Sequence, residues 1–301
     1  MGIVLTSRIE YTVGNPQCGV VGMEPWVTDI EFERLGRLRR LLKAAVINPL
    51  ANYLPASWMR GLLRFSDSEL AAANWEDPGG WRSMVISYEG RPRQIADKIL
   101  VGAGTMAMAL RNRKRLAAHI LAQLIDACDH NPAHVLCLGA GPGHVITDAM
   151  VQAAHGSVAT LVDLNSDAFA YGRELAERKG VADRVEFVEG DVRHVRQMLE
   201  KPPDAVKMLG ICEYLADDQI VDIASAVAEV MPPGAPIVFN SLSKAHKSDR
   251  FFRRVFGLHM NHRSPEQLQA LMGKAGFGDF VSIPEPLGVY HVVVGRRLGG
   301  A

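Results

Sequence analysis

"HVLCLGAGPGHVITDAM", residues 134–150, begins as an unbroken apolar run, passes through Gly139, Gly141 and Gly143, and continues at helical spacing. A run of this kind reads as a strand buried on both faces that feeds directly into a helix. Glycine suits such a loop twice over: the sharp turn uses backbone angles that side chains resist, and a missing Cβ lets a ligand lie against the main chain. The spacing is G-x-G-x-G, with Ala140 between the first two glycines and His144 where dinucleotide-binding loops carry a further glycine.

Outward from this loop the chain alternates short apolar runs with longer amphipathic ones, the pattern of strand–helix units in a mostly parallel sheet. Strands are expected at "HVLCL", "VATLV", "RVEFV", "DAVKML" and "APIVFN", with helices beginning near Gly143, Ser166, Val192 and Asp217. Ser166 and Ser264 are placed as N-caps, Pro265 fits a first helical position, and Gly180 and Gly276 fall where helices close. After the helix "SPEQLQALMGKAGF", the stretch "DFVSIPEPLGVYHVVVGRR" reads as a hairpin that puts one antiparallel strand at the sheet edge. The expected fold is α/β: a Rossmann-like, seven-stranded, mostly parallel sheet with an antiparallel last strand.

In open parallel sheets, ligands bind beyond the carboxyl ends of the strands. Asp163, followed by Leu164, ends the second strand, where a carboxylate can take both hydroxyls of a ribose. Asp191, followed by Val192, ends the third, where a carboxylate can meet an adenine amino group. The alternative for each aspartate is a helix cap.

Residues 1–130 read as a helical cap and 131–301 as the sheet domain. "TDIEFERLGRLRRLLKAAVI" has Thr28 and Glu31 at capping-box spacing, and Phe32, Leu35, Leu38, Leu42 and Val46 at helical intervals. Further helices are expected in "PASWMRGLLRF", around "QIADKILVGAG" and in "AMALRNRKRLAAHILAQLIDAC". Trp26, Trp58, Trp75 and Trp81 all lie in this part, either gluing helices to the sheet domain or walling a pocket over the strand ends.

Taken together, the glycine loop and the two strand-end acids resemble the class I S-adenosylmethionine-dependent methyltransferases, over roughly Ala133 to Arg297. That resemblance implies S-adenosylmethionine as cofactor. Gly139, Ala140, Gly141 and Gly143 would lie along its methionine portion, Asp163 and Leu164 at the ribose, and Asp191 and Val192 at the adenine. "LGICEYL" would line the mouth of the fourth strand, with Gly210 close to the cofactor and Tyr214 closing one side. One departure is plain: the family usually has an acid two positions before the first loop glycine, and here that residue is Cys137.

The resemblance implies a transferase, with methyl transfer to a small-molecule acceptor as the expected reaction. No N/D-P-P-Y/F stretch follows the fourth strand, which speaks against nucleobase and protein-glutamine acceptors. A looser likeness, to the methyltransferase-like azetidine-2-carboxylate synthases, keeps open attack on the aminocarboxypropyl carbon, with cyclisation and release of methylthioadenosine. A catalytically silent cofactor-binding protein is the non-enzymatic alternative. Tyr88, Asn240, His246 and His259 are the candidate chemical residues, since each falls in the cap or just after a strand end, and a histidine can take a proton near neutral pH. Arg111 and Arg113 are candidates to grip a carboxylate, and no metal site is expected.

Composition sets the outer limits. The chain has 301 residues, 33 basic and 33 acidic, so the long-range positive field typical of nucleic-acid binding is missing. The basic clusters "RLRRLLK" and "RNRKR" are expected on solvated helix faces. No apolar run is long enough to cross a bilayer, and the four scattered cysteines read as free thiols. The expectation is a cytoplasmic enzyme of small-molecule biosynthesis, with neither nucleic acid nor membrane as partner.

Overall fold

The computed structural model describes residues 30–299. Seven strands form one sheet: β1 (Ala133–Leu138), β2 (Ser157–Asp163), β3 (Val185–Glu189), β4 (Ala205–Met208), β5 (Pro236–Leu242), β6 (Phe277–Pro284) and β7 (Tyr290–Arg297). Their order is β3-β2-β1-β4-β5-β7-β6, and β7 runs antiparallel to both of its neighbours.

The antiparallel strand is therefore inside the sheet and not at its edge, a correction to the sequence reading. The reason lies in the side chains. Val292, Val293 and Val294 of β7 are buried on both faces and need a strand on each side, whereas β6 is only partly buried and carries a bulge between Gly278 and Val281. A half-exposed, bulged strand suits an edge.

The helices are α1 (Arg37–Leu42), α2 (Asn48–Tyr53), α3 (Ala56–Phe65), α4 (Glu69–Glu76), α5 (Trp81–Glu89), α6 (Ile95–Asp97), α7 (Thr105–Asp126), α8 (His144–Gln152), α9 (Phe169–Arg178), α10 (Asp217–Val230), α11 (Asp249–Phe251) and α12 (Pro265–Lys274). Short π-helical stretches, Lys43–Ile47 and Lys98–Gly102, follow α1 and α6. One sheet face packs on α7, α8 and α9 through Leu116, Leu121, Val135, Ile146 and Leu161; the other packs on α10 and α12 through Leu136, Val206, Ile223 and Met272. A third cluster joins α3, α4 and the start of α7 to the segment 251–260. By packing, α7 thus stands in the sheet's own helix layer.

Several local expectations change. Thr28 and Trp26 lie outside the described residues. Residues 30–36 are not helical: the Glu33 N–H donates to Asn112 Oδ1, the Glu33 carboxylate takes Arg111 Nε at 2.6 Å, and Ile30 and Phe32 pack on the core, so this stretch is a strap across α7 and the helix starts only at Arg37. The cap of the helix after β2 is Asn165 and not Ser166, because the Asn165 side chain accepts from the Asp167 N–H. Val192–Gln197 closes as a 3₁₀ helix only. Helices α4 and α5 had no counterpart in the reading of the cap; Ser68, whose hydroxyl accepts from the Ala71 N–H, is the signal that marks α4. The "RNRKR" cluster is not a solvated face, since Arg111 and Arg113 are both buried.

Candidate active site

The loop between β1 and α8 sets the floor of a cavity of about 440 Å³ at the carboxyl ends of β1, β2 and β4. Gly139, Gly141 and Gly143 all have positive φ, at 54°, 51° and 80°. Their roles differ. A Cβ on Gly139 would meet Ile211 at 2.1 Å and one on Gly143 would meet Leu161 at 2.5 Å, so these two are needed for packing. A Cβ on Gly141 would find nothing nearer than Trp81 at 3.9 Å; it would project into open cavity, the space a bound group would use. Ala140 lines the same floor, and its N–H donates to the Val162 carbonyl.

Asp163 tops β2 and ties the loop down: Oδ2 accepts from the Gly141 N–H at 2.7 Å and Oδ1 from the Asn165 N–H at 3.0 Å. Each carboxylate oxygen can accept a further hydrogen bond, and Asp163 lines the cavity. Leu164 beside it is exposed and lines the cavity wall. Asp191 caps the turn after β3 through the Arg193 N–H and also forms an ion pair with the Arg193 guanidinium; these hydrogen bonds hold its carboxyl down at about 2. Val192 follows, buried against the cavity.

Helix α5 and the turn before it supply the roof. Asp77, Gly79, Gly80, Trp81, Met84 and Tyr88 line the cavity from α5 and the turn before it. Of the tryptophans, Trp81 walls the cavity, Trp75 glues α4 to the segment 252–256 through its Nε1–H to the Val255 carbonyl, and Trp58 is exposed. His144 sits between the rings of Tyr88 and Tyr171, at 5.5 and 5.7 Å. Burial, reinforced by Lys114, Lys179 and Arg178, pushes its pKa down to about 3, so it is neutral at pH 7.

Arg113, fully buried on α7, gathers distant segments. Its guanidinium donates to Glu213 Oε1 at 3.1 Å, to Asn240 Oδ1 at 3.4 Å and to the Tyr88 hydroxyl at 2.9 Å, and it stacks 4.5 Å over the Tyr290 ring. Two of the expected chemical residues, Tyr88 and Asn240, therefore meet on one cation. Asn240 also accepts from the N–H of Gly210, a cavity-lining glycine at φ 83°. Arg111, by contrast, is spent on Glu33 and on the carbonyls of Ser87 and Val101.

Lys207 is the cavity residue that the sequence reading passed over. It is the register partner of Cys137 in the β1–β4 pair, is buried, and lines the cavity beside Cys137. Burial lowers the Lys207 pKa and pushes the Cys137 thiol up to about 12. A lysine inside an otherwise apolar central strand was the available signal. Where the sequence resemblance leads one to expect an acid, this chain presents the Cys137 thiol beside Lys207.

His246 and His259 do not reach the cavity. His246 is buried against His262, Nε2 to Nε2 at 3.1 Å, and burial followed by the neighbouring ring lowers its pKa to about 4; His259 is exposed. Cys128, His130 and Asp204 form the one His/Cys/acid trio close enough to share an ion among the described residues. It lies at the amino ends of β1 and β4, opposite the cavity, and Asp204 is already bonded to His130 and to the His134 N–H. No helix among the described residues is long and apolar enough to cross a membrane.

A second chamber, about 100 Å³, adjoins the first and shares Gly79, Met84 and Gly210 with it. Tyr214, at its rim, closes over Gly79, where a Cβ would meet the Tyr214 hydroxyl at 2.6 Å.

Comparison with known proteins agrees with this geometry. The family described as "Methyltransferase domain" matches residues 135–234. A curated relative, the tRNA 5-carboxymethoxyuridine methyltransferase of Escherichia coli (strain K12), is 29% identical over 122 residues, 40% of this chain and 46% of the relative. The chain thus spans about half the length of that curated relative. Among solved structures, a Bordetella parapertussis protein described as a possible exported protein superposes with TM-score 0.61 at 15% identity, covering 84% of this chain and 82% of that one. The magnesium protoporphyrin IX methyltransferase of Synechocystis PCC 6803, solved with bound S-adenosylhomocysteine, gives 0.54 at 11% identity, covering 79% and 99%. At these identities both structures speak for the fold.

Proposed function

We propose that the chain, whose residues 135–234 match the family described as "Methyltransferase domain", is a class I S-adenosylmethionine-dependent methyltransferase that transfers a methyl group to a small-molecule acceptor. The observation that carries the reading is the space at the strand ends: a cavity floored by the glycine loop and Asp163, roofed by α5 and the turn before it, and adjoining a smaller side chamber. In this reading the helices α2 to α6 act as the cap, and α7 packs with residues 131–299 as the cofactor domain.

The cavity is of the size that cofactor sites usually have. When bound, S-adenosylmethionine supplies an electrophilic methyl carbon on a sulfonium. The chain's own residues do the rest. Gly141 leaves its main chain open to the ligand, and Gly139, Ala140 and Gly143 hold the loop in shape. Asp163 offers free lone pairs to ribose hydroxyls, with Leu164 against the sugar. Asp191 and Val192 flank the base, although Asp191 reaches it only while paired to Arg193. Gly210 and the rings of Trp81 and Tyr88 close the site against water, which favours a fixed geometry for transfer. Lys207 and Arg113 line the cavity where the amino-acid tail would lie, and with Arg113 already paired to Glu213 it is Lys207 that is left to meet the carboxylate end.

The small volume of the side chamber, about 100 Å³, favours a compact acceptor. The tRNA-modifying relative makes an RNA acceptor the competing reading. Calorimetry and product analysis test both. S-adenosylmethionine and S-adenosylhomocysteine are expected to bind, and Asp163→Ala to weaken both by more than tenfold, roughly 1.4 kcal/mol. Cofactor alone is expected to give no nucleoside product. Methylthioadenosine released without an acceptor would instead make the chain an aminocarboxypropyl-attacking enzyme, and methylation of bulk tRNA would move the acceptor to RNA.

A further inference from the structure

The side chamber is built almost wholly from apolar and aromatic surface, with Met84, Met106, Phe252, Phe256, Tyr214 and Tyr290 on its walls. Its polar side chains are nearly all committed to the main chain. Asn74 donates to the Leu70 carbonyl and accepts from the Gly79 N–H, Ser83 donates to the Gly80 carbonyl, and Ser87 to the Ser83 carbonyl. Glu213 is different. It is the one charged side chain lining the chamber among the described residues, it is 5% exposed, and its Oε2 has no partner at all. Oε1 is held by Arg113, and Arg113 in turn is fixed by Tyr88 and Asn240. An acceptor atom left unsatisfied in a buried site is costly unless a ligand completes it.

Resting on the methyltransferase reading, we propose that this chamber is the acceptor site, that it takes a compact neutral aromatic alcohol of the phenol class, and that Glu213 Oε2 receives the hydroxyl proton. The charge argument excludes the alternatives in turn. Arg113 already balances Glu213, so a cationic acceptor would bring a buried charge with no counter-charge of its own, and an anionic one would face Oε2. A neutral O–H donor completes the carboxylate without adding charge. Aromatic walls and methionine sulfurs favour a flat ring, and the volume is of the order of apolar cavities, ~150 Å³, that hold one benzene.

The step balances. The acceptor oxygen forms a bond to the methyl carbon, the carbon–sulfur bond breaks with its electron pair left on sulfur, and the O–H proton passes to Glu213 Oε2. Because the oxygen becomes far more acidic as it gains the methyl group, a carboxylate is base enough.

The test uses the full chain saturated with S-adenosylhomocysteine and measures binding of phenol, toluene, benzylamine and benzoate by calorimetry. Phenol is expected to bind at least tenfold more tightly than the other three. Glu213→Gln, which keeps the hydrogen bond to Arg113, should reduce the phenol-to-toluene ratio below threefold and leave S-adenosylhomocysteine affinity unchanged. Ala107→Leu, which fills the chamber from α7, should abolish phenol and toluene binding and spare S-adenosylhomocysteine. Equal binding of phenol and toluene to the native chain, no binding of either, or a phenol preference that survives Glu213→Gln overturns the proposal. If Glu213→Gln does not fold, the native ratio and Ala107→Leu decide it. Failure of S-adenosylhomocysteine itself to bind would sink the underlying reading instead, so the two failures are told apart.

Discussion

Helices α3 and α7 belong to the same half of the chain, and both show apolar residues at helical spacing, yet their surroundings are opposite. On α7, Leu116, Ala117, Ile120 and Leu121 have no exposed surface, and even Arg111, Asn112 and Arg113 are buried. On α3, only Leu63 is buried, while Trp58, Leu62 and Phe65 stand 70%, 58% and 89% exposed. Periodicity says that a helix forms and which residues share a face. What covers that face is decided by the rest of the chain, and α7 has a seven-stranded sheet beside it.

The contrast breaks most readily at Arg113. Arg113→Met leaves Glu213 a buried, uncompensated carboxylate and is expected to cost about 3–5 kcal/mol by chemical denaturation. Restoring balance with Arg113→Met/Glu213→Leu should recover most of that loss; an Arg113→Met chain as stable as the native one would mean that the ion pair is wetter than its geometry implies. Next comes Leu116→Ala, which empties a fully buried site between α7 and the sheet. The expected cost is about 2–5 kcal/mol, and a loss under 1 kcal/mol would show α7 free of the sheet layer.

The same contrast explains what could be read in advance. The glycine loop, Asp163 and Asp191 were legible because each is one local segment whose backbone need is written in its own residues. All seven strands were legible as apolar runs of the right length, but the place of β7 was not, because the order of strands depends on which ones are buried on both faces. Arg113, Glu213, Tyr88 and Asn240 meet from positions 25, 100 and 127 residues apart, and nothing local announces such a meeting. Asn240, His246 and His259 were named for lying where segments meet the strand ends and Tyr88 for its ring in the cap; only Tyr88 and Asn240 meet, at Arg113, because nearness to a strand end in sequence does not say which way a side chain lies. Glu213 stood inside a quoted motif and was passed over because its only signal, an unpaired buried oxygen, exists in three dimensions alone.

Acid sharpens the comparison from the other side. His144 and His246 have pKa values near 3 and 4, both lowered chiefly by burial, against about 6.5 unfolded. Between those limits the unfolded chain binds more protons than the folded one, so stability is complete above about pH 6.5 and falls as pH drops toward 4. Each such histidine contributes at most one proton, a slope of about 1.4 kcal/mol per pH unit. His144→Phe should flatten the profile of denaturation midpoint against pH in that window. An unchanged slope would show that His144 is protonated in the folded chain and that its place between Tyr88 and Tyr171 is open to water.

The smallest effect is expected on the outer helix. Trp58, Leu62 and Phe65 already meet water, so replacing them with Gln, Gln and Ser removes little buried area, and each change should shift stability by no more than about 0.5 kcal/mol. Leu63→Ala, one position along and buried at 3%, is the internal control and should cost several times more. The two sets of variants lie on one ten-residue helix with the same backbone, so propensity cancels between them and only the covering of the face is compared. A loss above 1 kcal/mol at Phe65 would mean that the outer face is covered in solution, and the contrast with α7 would then be one of partner rather than of exposure.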